Sequence, residues 1–139
     1  MQLGACFAGL AIENSMLGAA HALANPLTTT YGILHGEAIA LVLPHVIRFN
    51  SQVAGSLYDD LAEEAGLLNG TPDLAAESLV GRITALMRLA KFPTTLSQCG
   101  VSSGILPVLA EEAAQQWTAR FNPRPVSETD LQSLYEAAL

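Results

Sequence analysis

The chain has 139 residues, half of them apolar, and a formal net charge of −7. This length fits one domain with a folded surface of roughly 6,900 Å², and a charged fraction of only 14% excludes an intrinsically disordered chain. The acidic balance argues against a nucleic-acid partner, because phosphate backbones are held by Lys and Arg, and two cysteines are too few for a disulfide scaffold.

The first fifty residues carry only three charges, at Glu13, Glu37 and Arg48. They therefore form either the core or a surface that meets something else. No basic residue precedes Arg48, which excludes a signal peptide. The apolar runs Leu3–Ile12 and Ile39–Leu43 are shorter than the roughly 20 residues that cross a bilayer. We expect a cytoplasmic chain with no membrane partner.

Three helices are predicted in the first half of the chain. The first covers about residues 3–24 and is stopped by Asn25-Pro26, with a loop or short extended piece following to residue 34. The second covers about residues 36–50 and is kinked or broken at Pro44. The third is a short acidic helix over residues 57–65 that ends at Gly66.

Three more helices are predicted in the second half. Thr71 and Pro72 start one that runs to about residue 91, and another covers residues 105–116 with Pro107 in its first turn. Ser127 caps the last helix, with Asp130 in a capping-box position. Two apolar stripes mark buried faces: Leu79, Ile83, Leu86, Met87 and Ala90, then Leu131, Leu134, Tyr135 and Ala138. No strand signal competes, so the predicted fold class is all-α.

The candidate metal ligands are histidines. His21 lies near the end of the first predicted helix and His35 at the start of the second, so the loop between them can bring both rings to one point. Two ligands do not close a site; Glu13, about 80° around the helix from His21, and Glu37 are the other nearby candidates. From spacing alone, two histidines at helix ends are more often caps or satisfied core groups, and both interpretations stay open. His45 is interpreted as structural.

Other chemical constellations are absent from the sequence. No Gly-rich turn joins a strand to a helix, and no Cys-x-x-Cys occurs. Cys6, in an apolar segment, is predicted to be a small buried residue rather than a nucleophile. No catalytic residue is assigned.

Several separated motifs resemble the iron-containing (group III) alcohol dehydrogenases. They are GAAHALANPL at residues 18–27, YGILHGEA at 31–38, and LPHV and RFN at 43–46 and 48–50. The closing NPRP at residues 122–125, before a capped terminal helix, is similar to the end of those chains. The resemblance spans nearly all of the sequence. It implies a helical bundle like the C-terminal, dehydroquinate synthase-like domain of that family.

The same resemblance implies a reaction, the reversible NAD(P)-linked oxidation of a small alcohol to its aldehyde. A divalent metal, iron or sometimes zinc, acts as Lewis acid. In the family one Asp and three His bind the metal, and two of those histidines match His21 and His35. The other two ligands and the domain that mainly binds NAD or NADP have no counterpart here. Asn25 and Ile12 stand where many members have a histidine and a phenylalanine.

We therefore expect residues 1–139 to be one helical domain, a fragment of a two-domain enzyme that is inactive alone and binds metal weakly. Its partners would be a missing N-terminal half or further copies of itself. An exposed apolar face is expected over Leu3–Leu17, covered in a crystal by another copy. One alternative is a catalytically inactive module that self-associates. Within the enzyme class, maleylacetate reductase and glycerol dehydrogenase relatives are the alternatives, and the GAAH and HGEA motifs favour the alcohol dehydrogenases.

Overall fold

The computed structural model describes residues 2–68 and 75–139. Its α-helices are α1 (Gln2–Ser15), α2 (Ala19–Tyr31), α3 (His35–Glu64), α4 (Ala75–Leu89), α5 (Leu106–Ala114) and α6 (Glu128–Ala138). Short 3₁₀ turns occupy Ser97–Cys99, Ser103–Ile105 and Trp117–Phe121. No strand occurs in the described ranges, which confirms the all-α prediction. The predicted helix start at Thr71 and Pro72 lies outside the described residues.

The core is built by α2, α3, α5 and α6. The fully buried side chains that fill it are mostly leucines, together with Tyr135. The Tyr135 hydroxyl donates a hydrogen bond of 2.6 Å to the carbonyl of Leu23, which ties α6 to α2. A smaller apolar cluster of Ala62, Ala75 and Leu79 lies where the end of α3 meets α4. The charge-poor residues of α2 and early α3 therefore belong to the core. This was one of the two interpretations of the first fifty residues, the other being a surface that meets something else.

Helix α1 lies outside this core. Every one of its residues is exposed, including Leu3, Phe7 and Leu10, which are 67%, 60% and 56% exposed. The predicted exposed apolar face is therefore present up to Met16, whereas Leu17 is half-buried. That another copy covers this face stays a prediction. The exposure of α1 also makes the prediction of a buried Cys6 wrong, because Cys6 is an exposed free thiol. The accessible surface of 8,132 Å² exceeds the roughly 6,900 Å² expected from chain length, and the exposed α1 contributes to the difference.

The prediction of one long helix over residues 3–24 is wrong. Helices α1 and α2 are separate and meet at 108°. The chain turns at Met16, which has a left-handed φ of 66°, and α2 starts after Gly18. Since α2 has buried residues and α1 has none, the turn lets the second segment join the core while the first leaves it.

Pro26 does not end its helix, contrary to prediction, and Pro44 does not break its own. Pro26 lies inside α2, which continues to Tyr31, so the connecting loop is only residues 32–34. Pro44 lies inside α3, and the break in that helix comes later, at Ala54 (φ −116°, ψ 17°). An interior proline costs about 3 kcal/mol of helix stability. Both prolines are buried, and the packing around them offsets that cost.

The remaining helix ends follow the sequence more closely. The acidic segment ends at Gly66, which has a φ of +65°, and Pro107 lies in the first turn of α5. Ser127 and Asp130 form the predicted capping box, and all four residues of the last apolar stripe are buried. The α4 stripe is buried at Leu79 and Met87, and is exposed at Leu86 and Ala90.

No single helix among residues 2–68 and 75–139 is long and apolar enough to cross a bilayer. Helices α1 and α2 taken together are long and apolar enough to do so, but by length and composition alone, and they are bent by 108°.

Candidate metal centre

The structure brings two of the three histidines together. The ring centroids of His21 and His35 are 5.4 Å apart and the ring planes are inclined by 47°. His21 is half-buried in the first turn of α2, and His35 is exposed as the first residue of α3. Burial, and then the neighbouring His35, lower the pKa of His21. A lowered pKa favours the neutral imidazole, the form that binds a metal.

The chain reverses between the two helices that carry these histidines. Helix α2 ends at Gly32, whose left-handed φ of 65° lets its N–H donate to the Thr28 carbonyl at 3.1 Å. A residue with a side chain adopts that conformation at a cost, which explains the glycine. Only residues 32–34 then separate α2 from α3. Helix α2 rises about 15 Å from His21 to Tyr31, so residues 32–34 run back along α2 to bring His35 beside His21.

The ring separation fits two ligands of one ion. With metal–nitrogen bonds of about 2.1 Å and a tetrahedral angle, the centroids of two ligating imidazoles lie roughly 5 Å apart. The observed 5.4 Å is close to that value. Within the described ranges, however, no third His, Cys, Asp or Glu joins the pair. The chain therefore brings two imidazole rings to a distance at which they could share an ion, while a closed site needs further ligands.

The other candidate ligands lie elsewhere. Glu13 is exposed on α1, and Glu37 is half-buried. Burial, and then the Glu37 charge, raise the pKa of the Cys99 thiol. His45 lies one helix turn before Arg48 on α3, half-buried. Burial, and then the Arg48 charge, lower the pKa of His45.

The side chain of Asn25 is hydrogen-bonded to another segment of the chain instead of lying free beside His21 and His35. Asn25 lies one helical turn after His21, and its side-chain amide donates to Gln116 Oε1 at 2.9 Å. That bond links α2 to the segment between α5 and the Trp117–Phe121 turn. Ile12 lies on the exposed α1. The two positions at which this sequence departs from the family it resembles therefore differ in environment. Asn25 is packed and hydrogen-bonded, whereas Ile12 is exposed.

A polar bracket, formed by Asn50 and Asn122, holds the start of α2. Asn122 Nδ2 donates to Asn50 Oδ1 at 2.7 Å and to the carbonyl of Arg124 at 2.6 Å. Its Oδ1 accepts from Asn50 Nδ2 at 3.1 Å and from the N–H of Ala19 at 3.3 Å. The last bond satisfies one of the free N–H groups at the helix start, two residues before His21.

The bracket also explains Gly18. A Cβ there would lie 3.1 Å from Asn122 Oδ1 and 3.5 Å from its Cα, closer than the packing tolerates without a shift. Beside it, the Arg124 guanidinium lies 3.8 Å from the centroid of the Phe49 ring and donates to the Phe49 carbonyl at 2.9 Å. The bracket was not predicted from the sequence. Its signal was present, because the RFN and NPRP motifs each contribute one asparagine.

Comparison with known proteins agrees with this architecture. The Fe-containing alcohol dehydrogenase family, C-terminal part, matches residues 1–139. The chain is 35% identical to lactaldehyde reductase of Escherichia coli K12 over 140 residues, which cover 99% of this chain and 37% of that protein. It is 29% identical to NADPH-dependent butanol dehydrogenase of Clostridium saccharobutylicum, covering 98% of this chain and 36% of that protein.

A solved structure has the same fold. The alcohol dehydrogenase from Oenococcus oeni superposes with a TM-score of 0.87 at 27% identity, covering 95% of this chain and 35% of that one. The chain therefore spans about a third of the length of the proteins it matches. With the whole sequence matched and the motif-bearing helices arranged alike, the chain belongs to the iron-containing alcohol dehydrogenase family and corresponds to its C-terminal part.

Proposed function

We propose that this chain is the metal-binding helical part of an iron-dependent alcohol dehydrogenase, in which His21 and His35 are two of the metal ligands. The complete enzyme would catalyse reversible NAD(P)-linked oxidation of a small alcohol. The observation that carries the proposal is the 5.4 Å separation of the two rings. Family membership supports it, because both histidines lie in the motifs that match the family.

The chain's own part in this reaction is to hold and orient. The short connection over residues 32–34 joins the two helices that carry His21 and His35, and the bracket at Asn122 holds the start of the helix that carries His21. Burial keeps the pKa of His21 low, which leaves the ring neutral and able to donate a lone pair near neutral pH. When bound, a divalent metal supplies Lewis-acid chemistry that lowers the pKa of an alcohol oxygen.

The substrate and cofactor belong to the same proposal. The names of two relatives specify lactaldehyde and butanol as substrates, and one specifies NADPH. We therefore expect a small alcohol or aldehyde, and a nicotinamide cofactor bound mainly outside these 139 residues. Since only two ligands converge within the described ranges, we expect the chain by itself to bind Fe²⁺ weakly and to lack dehydrogenase activity.

Metal binding gives the first test. Fe²⁺ binding to the 139-residue chain is measured under anaerobic conditions by calorimetry, for the wild type and for His21→Ala, His35→Ala and His45→Ala. The first two variants should each lose at least about tenfold in affinity, because each removes one of two nitrogen ligands. The third is the matched control, a histidine on α3 outside the pair, and should bind as the wild type does. Equal losses in all three variants would contradict the ligand assignment.

Activity gives the second test. The chain is supplied with the N-terminal portion of a relative, fused or as a second polypeptide, and NAD(P)-linked alcohol oxidation is assayed. We expect activity in the wild type and its loss in the doubly substituted His21→Ala, His35→Ala protein. Activity that survives the double substitution would refute the proposed role of the pair.

A second candidate function is a non-catalytic module that self-associates through α1. The observation that favours it is that Leu3, Phe7 and Leu10 form an exposed apolar stripe at helical spacing. In sedimentation velocity, the wild type should form oligomers and Phe7→Glu should shift them to monomers. Leu89→Glu, at an apolar side chain 77% exposed on α4, is the matched control and should leave the oligomers intact. A monomeric wild type would exclude this alternative.

A further inference from the structure

A polar cavity lies between α3 and α4. Its volume is about 260 Å³, below the roughly 300–1,000 Å³ typical of drug-sized ligand sites, so it suits a small molecule or ion. Four of its lining residues are apolar, and the polar ones are His45, Arg48, Thr84, Arg88 and Thr94. The two histidines of the candidate metal centre do not line it.

The charge at this cavity opposes the charge of the chain. Arg48 and Arg88 are two of only six basic residues in a chain of net charge −7. Arg48 Nε and one terminal nitrogen donate to the Glu77 carboxylate at 2.7 and 2.8 Å, which leaves its other terminal nitrogen outside the pair. Among the described residues, Arg88 has no carboxylate within salt-bridge distance. The cavity is thus lined by two arginines, of which only Arg48 is paired with a carboxylate.

The remaining polar groups can also donate. His45 lines the cavity, and its ring carries an N–H that can donate. The hydroxyl of Thr94 has only a long contact of 3.5 Å, to Gln98 Oε1. Thr84 is already committed, since its hydroxyl donates to the Val80 carbonyl at 2.9 Å. The cavity therefore offers several donors and few acceptors.

We propose that this cavity is a binding site for a small oxyanion, a phosphate or carboxylate group, held by Arg88 and Arg48 with His45 and Thr94 as further donors. Guanidinium groups match such anions because their N–H groups form a rigid fork that pairs with two oxygens. The ion pair with Glu77 competes for Arg48. Because both side chains of that pair are about half exposed, solvent screens the pair and the competition is modest.

The experiment is a titration of the 139-residue chain with inorganic phosphate, followed by amide NMR shifts at constant ionic strength. A parallel arm with acetate distinguishes a phosphate from a carboxylate ligand. Saturable shifts should appear at the amides of Thr84, Arg88 and Thr94. Arg88→Gln should weaken binding by about tenfold, because it removes a charge-assisted fork. Arg82→Gln removes the same charge from an exposed position on α4 outside the cavity, and should change binding by less than twofold.

Glu77→Gln should raise the affinity for the anion, whereas Arg88→Gln should lower it. Freed from its ion pair, Arg48 turns toward the anion, and affinity should rise by about threefold. A merely structural role for the Arg48–Glu77 pair would instead leave affinity unchanged or lower it. The absence of saturable shifts with both anions, or equal losses in Arg88→Gln and Arg82→Gln, would overturn the proposal.

Discussion

The bracket of Asn50 and Asn122 makes the most demanding prediction about this fold. Truncating Asn122 to alanine removes four hydrogen bonds at once, two donated by its amide and two accepted by its oxygen. Asn122 is 8% exposed and Asn50 is 4% exposed, so water cannot readily replace the lost partners. The substitution therefore leaves the buried amide of Asn50 and the N–H of Ala19 without partners in an apolar surrounding.

The magnitude follows from the number and burial of these bonds. At about 1 kcal/mol net for each, their loss lowers the free energy of unfolding by about 4 kcal/mol. Asn50→Ala breaks the two bonds between the asparagines and should cost about 2 kcal/mol. Since the variants share those two bonds, the double variant should cost about 2 kcal/mol less than the two single losses combined.

Urea unfolding followed by helical circular dichroism measures these changes for the two single variants and the double variant. The matched control is Asn14→Ala, which removes one exposed bond from Asn14 to the Leu10 carbonyl on α1 and should change stability by less than about 0.5 kcal/mol. If Asn122→Ala does not fold, Asn50→Ala still tests the bracket. A loss below about 1 kcal/mol for Asn50→Ala, or additive losses in the double variant, would refute the reasoning.

Three further predictions concern single side chains. Tyr135→Phe keeps the buried ring but removes the 2.6 Å bond to the Leu23 carbonyl, and should lower the unfolding free energy by about 1 kcal/mol in urea; no loss would mean that this bond is not formed in solution. Burial and Arg48 lower the pKa of His45 below its ordinary 6.5, so the unfolded chain takes up its proton first. The stability of the folded chain that depends on a neutral His45 is therefore complete above pH 6.5 and is lost as pH falls toward the lowered pKa. The pH dependence of unfolding measured between these limits should therefore be shallower in His45→Gln, and an unchanged slope would contradict this assignment. Ser127→Ala removes the cap of α6 and should lower the midpoint of thermal unfolding, at a cost of about 1 kcal/mol, while Ser133→Ala on the exposed face of α6 should cost less.

Sequence reasoning succeeded where a local rule decides the outcome. The capping box at Ser127 needs only residues three apart, and Pro107 is tolerated in a first turn because no helical bond is lost there. The last apolar stripe followed from helical period alone and is fully buried. These features depend on neighbours within one or two turns, which the sequence displays directly.

The errors arose where packing between distant segments outweighs a local rule. Pro26 and Pro44 each break a helical bond, and the sequence signal for a helix end was correspondingly strong. Each proline is nevertheless buried, and the apolar contacts around it stabilise a continuous helix. Met16 presents the reverse case. Nothing in its chemistry favours a left-handed φ, and the turn there follows from α2 joining a core that α1 does not enter.

The candidate centre combines both kinds of information. Spacing alone left His21 and His35 between helix-end and metal-ligand interpretations, because a separation of 14 residues fixes no distance. Distance depends on the length of the loop, and the loop is short only because α2 continues past Pro26 to end at Gly32. Had the helix stopped at Pro26, eight residues would have separated the two helices and no fixed geometry would follow. The continuation of α2 past Pro26 thus leaves a connection of only residues 32–34, and a short connection holds the two rings at one defined distance of 5.4 Å rather than over a range of distances.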